Sequence, residues 1–324
     1  MHEVGVWSFI AEKLSDGKKT VLLCVADSKG SSPGRKGFKM AVAGDGMRGS
    51  IGGGIMEHKF VELAKEILLS ADIRPFAKKQ FHNKSAAKNQ SGMICSGEQT
   101  ILLFPLNVDH LNEINKITAC LRKRNEGILT LSQDEISFAE TISTDAGFDY
   151  YSETDWRYSE IIGRKEKIYI IGGGHCSLAL SRVMKWLGFS VHVFDNRTGL
   201  NTLDENEFAD EKKIVDDFSS LSELIPEGDH YVVVMTFGYR TDDISVRALI
   251  EHKFAYFGVL GSESKIEKLF SEWRDSGIEE AKLNKIKAPA GVKVNSQTPE
   301  EIAVSIAAEI IAVRNSDLTQ RVSG

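Results

Sequence analysis

The run from Lys167 to Arg197, KIYIIGGGHCSLALSRVMKWLGFSVHVFDNR, limits the fold of this chain more than any other segment. The apolar stretch Ile168 to Ile171 enters a glycine cluster, a helical pattern follows, and a second apolar stretch, Val191 to Phe194, ends on Asp195. That order predicts the opening strand, turn, helix and strand of a nucleotide-binding βαβ unit. A phosphate needs backbone N–H groups at a helix N-terminus with no side chain in the way, and Gly172 and Gly174 meet both needs. Asp195 follows the glycines by about 20 residues, the distance at which an acidic side chain bonds a ribose hydroxyl. Ser177 stands where the G-x-G-x-x-G pattern has its third glycine. It is small enough to let helix and strand approach, so the pattern supports the fold more firmly than the ligand.

With 324 residues the chain has room for two domains. A 42% hydrophobic content and only six prolines argue against long disordered segments, and a net charge of −6 argues against a nucleic-acid-binding surface. No apolar stretch approaches the roughly 18 residues of a membrane span, and the opening MHEVGVWSFIAEKL reads as an amphipathic helix rather than a signal peptide. A cytoplasmic protein is expected. The four cysteines form no C-x-x-C pair, so neither a disulfide framework nor a zinc site is suggested. Cys24 and Cys120 fall in apolar patterns and read as small core residues. Cys95 and Cys176 lie in glycine and serine turns, and the glycine-flanked M-I-C-S-G-E sequence places the Cys95 thiol where it can be exposed and reactive.

The N-terminal part mixes a helix, Val4 to Leu14, with strands Thr20 to Ala26, Phe38 to Ala43 and Met47 to Ile51. The loop DSKGSSPGRKG between the first two strands offers hydroxyls, amides and cations suited to an anion, or is simply a flexible connection. A second glycine-to-helix junction, Gly52-Gly53-Gly54, follows, and Glu57 one turn into that helix either meets a ligand or favours the positive end of the helix dipole. Further strands are read at Pro75 to Asn83, Gln99 to Pro105, Gly127 to Leu131 and Ile136 to Thr141, with a helix from Asp109 to Arg124. Periodicity is lost near residues 151–165, which read as a linker between domains at 1–150 and 166–324. Beyond it strands and helices alternate, which specifies a parallel sheet. Thr298-Pro299-Glu300-Glu301 is a capping box that starts the last helix. Glu301, Ser305 and Glu309 share one face of that helix, expected to be solvated rather than directed at a site.

Six segments in register, GSSPGRKGFKM, SIGGGIMEH, MICSGEQTILLFPL, GGGH, GVLGSESK and PAGVKVNSQTPEEIAVSIAAEI, resemble the XdhC and CoxI family of xanthine dehydrogenase accessory proteins over nearly the whole chain. The resemblance implies an N-terminal mixed α+β domain followed by a Rossmann-like doubly wound parallel-sheet domain. It further implies a molybdenum cofactor chaperone that handles molybdopterin or its cytosine dinucleotide form and assists its sulfuration and insertion into a molybdenum hydroxylase. Such a protein would be an accessory factor rather than the dehydrogenase, a homodimer, and a partner of a cysteine desulfurase. The cofactor would lie at the carboxyl ends of the parallel strands, with its phosphate or nucleotide extension on Gly172 to His175 and with Asp195, Arg197, Thr236, Gly261, Ser262 and Lys265 around it. Cys95 would approach from the first domain and face the metal, since soft thiolates suit such centres. Ser32, Arg35 and Lys39 with Gly52, Gly53, Gly54 and Glu57 would form an opposing wall.

The chain departs from the family pattern at Phe237, where members often have histidine after a threonine, at Ser96, where glycine is common, and at Ala290 and Val292 of the Pro-Ile-Gly-Leu motif. Without the histidine, any activity that requires it should be absent. The glycine turn and Asp195 alone would also suit an NAD(P)-dependent oxidoreductase, but no arrangement in the sequence identifies the proton-transfer residue such an enzyme needs. An interaction scaffold whose glycine loops are purely structural is the remaining alternative.

Overall fold

The computed structural model describes residues 2–30, 32–70, 74–81, 97–141 and 146–322. The chain divides into two compact units, Met1–Arg164 and Lys165–Gly324.

The first unit comprises α1 (His2–Ser15), β1 (Thr20–Gly30), β2 (Lys39–Ala43), β3 (Gly46–Gly49), α2 (Gly54–Leu69), β4 (Phe76–Phe81), β5 (Gly97–Leu106), α3 (Leu111–Arg122), β6 (Gly127–Ser132), β7 (Ile136–Ala139), β8 (Gly147–Ser152) and β9 (Asp155–Ile162). Its two sheets are antiparallel, in the orders β3-β2-β1-β5-β4 and β7-β6-β9-β8. Strand β1 is buried on both faces, and its alternating side chains serve two cores. Val21, Leu23 and Val25 pack with Met56, Phe60 and Ala64 of α2, whereas Leu22, Cys24 and Ala26 pack with Trp7 and Ile10 of α1 and with Trp156 and Tyr158 of β9. Cys24 and Cys120 are core residues as expected, and burial pushes the Cys24 thiol up to about 12.

The segment expected to be a linker is instead largely the β8–β9 hairpin, in which β9 pairs with β6, and the division between the units falls after Arg164. The period of two is present there: Trp156 and Tyr158 are buried and Arg157 between them is exposed. Charged residues around the aromatic ones hid it.

The second unit comprises β10 (Lys167–Ile171), α4 (His175–Trp186), β11 (Ser190–Asp195), α5 (Asn201–Asp204), β12 (Glu211–Ile214), α6 (Leu221–Leu224), β13 (Gly228–Val234), α7 (Tyr239–Leu249), β14 (Phe254–Val259), α8 (Glu263–Asp275), α9 (Glu280–Leu283), β15 (Ile286–Lys287) and α10 (Pro299–Val322). All six strands are parallel in the order β12-β11-β10-β13-β14-β15, the doubly wound order of dinucleotide-binding folds. Alternate residues of β10 again face two cores: Ile168 and Ile170 meet α4 and α10, and Tyr169 and Ile171 share a cluster with residues of α7 and α8. The strand order reverses between β10 and β13, which places the crevice of the sheet over their carboxyl ends.

The capping box of α10 forms as expected, with Thr298 Oγ1 accepting from Glu301 N and the Glu301 carboxylate accepting from Thr298 N. Its presumed solvated face does not. Ser305 is buried and donates to Val292 O at 2.7 Å, while Glu309 accepts from Gly291 N at 2.8 Å and from the Tyr256 hydroxyl at 2.6 Å. This face holds the Pro289 to Val292 segment. Gly291 has φ +102°, and a Cβ on it would lie 2.3 Å from Ser305 Oγ, so the turn admits only glycine.

Candidate functional site at the carboxyl ends of the parallel strands

The glycine turn after β10 combines one glycine the fold requires with one it does not. Gly172 has φ +111°, and a Cβ there would meet Met235 O at 2.3 Å, so the turn lies in backbone contact with the end of β13. Gly174, the residue before α4, has φ −74° and nothing within 4 Å of its Cβ position. Neither conformation nor internal packing demands a glycine there, but an incoming ligand would. The first intrahelical bond of α4 runs from Leu178 N to Gly174 O, no acidic residue occupies the first turn, and no side chain caps it. Its leading amides and the positive end of its dipole are therefore available to an anion. His175 is exposed and its side chain makes no hydrogen bond among the described residues, whereas Ser177 is buried in the third-glycine position.

Asp195, at the end of β11, is buried and fully engaged. Its Oδ2 accepts from Gly173 N at 2.6 Å and from Arg197 Nη2 at 2.7 Å, and its Oδ1 accepts from Arg197 N at 2.8 Å and Arg197 Nε at 2.9 Å. Burial opposes its ionisation, but the bonds from the Arg197 side chain and the two amides outweigh that and hold the carboxyl below its ordinary range. Its lone pairs are used, so this carboxylate is not left over for a ribose hydroxyl. What the pair presents outward is the Arg197 guanidinium, whose centre lies 5.4 Å from the Phe237 ring and whose Nη1 makes no hydrogen bond among the described residues.

Thr236 marks the end of β13. Its N–H and hydroxyl donate to Asp242 Oδ1 at 3.0 and 2.5 Å, and Asp242 is completely buried. Lys265 Nζ closes the arrangement by an ion pair with Asp242 Oδ2. Ser262 caps α8 by accepting from Lys265 N at 3.3 Å, and a Cβ on Gly261 would meet the Lys265 side chain at 3.0 Å. The structure thus brings all of the expected second-unit residues into one neighbourhood, but Lys265 and Ser262 serve its framework. Asp242 went unread in the sequence because an aspartate in the first turn of a helix carries an ordinary dipole explanation.

The first unit answers the expectations differently. Gly52 has φ +123°, and its Cβ would lie 2.3 Å from Gly34 N, so the GSSPGRKG loop does meet the glycine cluster. Part of that turn is already bonded within the protein, although no side chain caps the leading amides of α2 itself. Glu57 Oε2 accepts from Ser50 Oγ at 2.6 Å, Ile51 N at 2.9 Å and Gly53 N at 3.0 Å, so this oxygen braces the turn. Ser32 is buried and donates to Gln99 Oε1 at 2.7 Å. Arg35 is exposed and donates to Gly30 O at 3.4 Å. Lys39 is no part of a cationic wall: it is buried against Glu160 at 2.7 Å and Glu3 at 3.3 Å. Burial works against its charge, but Glu160 more than offsets this and keeps the ammonium protonated. Cys95 and Ser96 lie outside the described residues, and among the described residues no cluster of three or more histidine, cysteine and acidic side chains could hold a metal. Among them, too, no helix is long and apolar enough to cross a membrane.

A six-stranded parallel sheet in dinucleotide-binding order, with an open glycine turn at its switch point, defines a Rossmann-type protein. The chain belongs to the XdhC and CoxI family: the XdhC Rossmann domain matches residues 168–310 and the XdhC and CoxI family domain matches residues 14–74. It is 24% identical to the uncharacterized protein YqeB of Escherichia coli over 297 residues, covering 90% of this chain but only 43% of YqeB. It is 23% identical over 324 residues to a Bacillus subtilis protein named as a probable subunit of xanthine dehydrogenase, covering 93% and 95% of the two chains. The crystal structure of a Bacillus halodurans protein named a xanthine dehydrogenase shares the fold, with a TM-score of 0.68 at 22% identity over 98% of this chain and 96% of that one.

Proposed function

We propose that this chain is an accessory protein of a molybdenum hydroxylase such as xanthine dehydrogenase, and that its parallel-sheet unit seats the molybdenum cofactor while it is protected, sulfurated and delivered. The observation that carries this reading is the contrast at the glycine turn: Gly174 opens on free space, while the neighbouring Asp195 is already saturated by Gly173 and Arg197. Such a turn suits a phosphate or diphosphate and does not favour the ribose diol of NAD(H). The relatives named for xanthine dehydrogenase support the choice of client.

When bound, the cofactor supplies a redox-active molybdenum held by the sulfurs of a pterin. In this proposal the leading amides of α4 would bind its terminal phosphate or dinucleotide diphosphate and Arg197 would offset the anionic charge; Cys95, expected from the sequence as the thiolate for the metal, lies outside the described residues. Thr236, Asp242 and Lys265 keep the end of β13 in place beneath the ligand.

The test is anaerobic ultrafiltration of the purified protein with isolated cofactor, counting retained molybdenum and pterin. Retention near one per chain is expected, with loss in Gly174→Val and a reduction in Cys95→Ala. No retention by the unaltered protein, together with NAD(P)(H) binding and turnover of an alcohol or aldehyde, would replace this reading with an oxidoreductase.

A further inference from the structure

Phe237 is the least expected side chain of the crevice. A large aromatic ring that is 85% exposed gives up most of the stabilisation that burial would supply, yet this one stands on a rigid support. The preceding residue, Thr236, is pinned to buried Asp242 through both its N–H and its hydroxyl, and the following residue, Gly238, caps α7. On one side the ring meets the Arg197 guanidinium at 5.4 Å, and Arg197 is itself fixed to Asp195 by two side-chain bonds. Since Gly172 touches Met235 and Thr236 through the backbone, this ring and guanidinium stand beside the open glycine turn.

We infer that Phe237 and Arg197 form a stacking platform for a planar nitrogen heterocycle whose phosphate occupies the glycine turn. This rests on the proposed reading of the crevice as a cofactor seat and names the part of the ligand recognised there. A flat π-system can stack on the face of the ring away from Arg197, and both ring and guanidinium are already ordered, so little conformational entropy is lost on binding. The heterocycle is either the pterin or the base of a dinucleotide form, chemistries that share a flat, electron-poor ring.

Equilibrium dialysis of the full chain with pterin-6-carboxylate, with CDP and with inorganic pyrophosphate separates these elements. Phe237→Ala is expected to weaken the ring-bearing ligand that binds by about tenfold or more, to leave pyrophosphate within about twofold, and to fold normally because the ring is exposed; Phe237→Trp should retain the affinity. Tighter binding of the pterin probe identifies the pterin as the stacked ring, and tighter binding of CDP identifies the base. Phe237→His gives a second readout: binding should weaken more in this variant than in the unaltered protein as pH falls through about 6.5, where an imidazolium would face Arg197. Pyrophosphate binding with no sensitivity of ring ligands to Phe237→Ala overturns the platform and leaves the anion seat standing. Failure of pyrophosphate and CDP alike to bind overturns both.

Discussion

At Gly52 to Gly54 the helix that follows the glycines brings its own anion, whereas at Gly172 to Gly174 it does not. In the first unit Glu57 turns back from the first turn of α2 and binds the Gly53 and Ile51 amides and the Ser50 hydroxyl. In the second unit no acidic residue sits in the first turn of α4, and the nearby carboxylate, from Asp195, takes only Gly173 N before Arg197 saturates it. Both clusters contain one glycine that a close backbone approach requires, Gly52 against Gly34 and Gly172 against Met235. A glycine cluster ahead of a helix is thus a weaker sign of an anion site where a carboxylate of the same helix already binds amides of the turn.

The most disruptive way to probe this comparison is Gly172→Ala. A methyl group 2.3 Å from a carbonyl oxygen, at φ +111°, should cost about 3 kcal/mol or more, read as a lower denaturation midpoint with hydrogen-exchange protection lost mainly in the second unit. An unchanged midpoint would mean that the turn is not packed on β13.

Glu57→Ala should come next, at about 2 kcal/mol, because it strips an acceptor from two amides and a hydroxyl. It should also open the first cluster, so that added sulfate raises the melting temperature of the variant more than that of the unaltered protein. Equal sulfate responses would show that Glu57 does not act as an internal anion.

Gly174→Val should change stability by about 1 kcal/mol or less, as it alters only the residue before α4 and its Cβ has nothing within 4 Å, while abolishing ligand retention. A large fall in stability would show that Gly174 is structural after all.

The smallest effect concerns pH. The Asp195 carboxyl is held below its ordinary range, so its contribution is fully present above the unfolded carboxylate value of about 3.9 and is lost as pH falls through the lower folded value. Acid denaturation followed in the unaltered protein and in Asp195→Asn should therefore show a shallower acid limb in the variant. Identical slopes would indicate that Arg197 and the Gly173 amide do not favour the charged form.

Much of this architecture is legible in the residues. The alternation of apolar strands with helical patterns after residue 165, the glycine turn, and the capping box of α10 are local signals, each written within a few turns of chain. Strand β12, Glu211–Ile214, escapes a reading of the sequence because four mostly charged residues at a sheet edge carry no burial pattern. The β8–β9 hairpin escapes it because its alternation lies in aromatic residues set among charges. Within the candidate site Asp195 and Lys265 are bonded to protein partners, Arg197 and Asp242, rather than left open.

The residues alone thus settle most of the strands and helices, the start of the parallel sheet and the family resemblance, because propensity, periodicity and turn chemistry act over short distances. Only the tertiary structure decided which polar groups are already satisfied. Lys39 meets Glu160, Glu309 meets Gly291 and Tyr256, and Asp242 meets Thr236 and Lys265 across separations the sequence does not connect. A buried charge keeps its ionisation by finding a partner in space, and that partnership separates a residue available to a ligand from one committed to the fold.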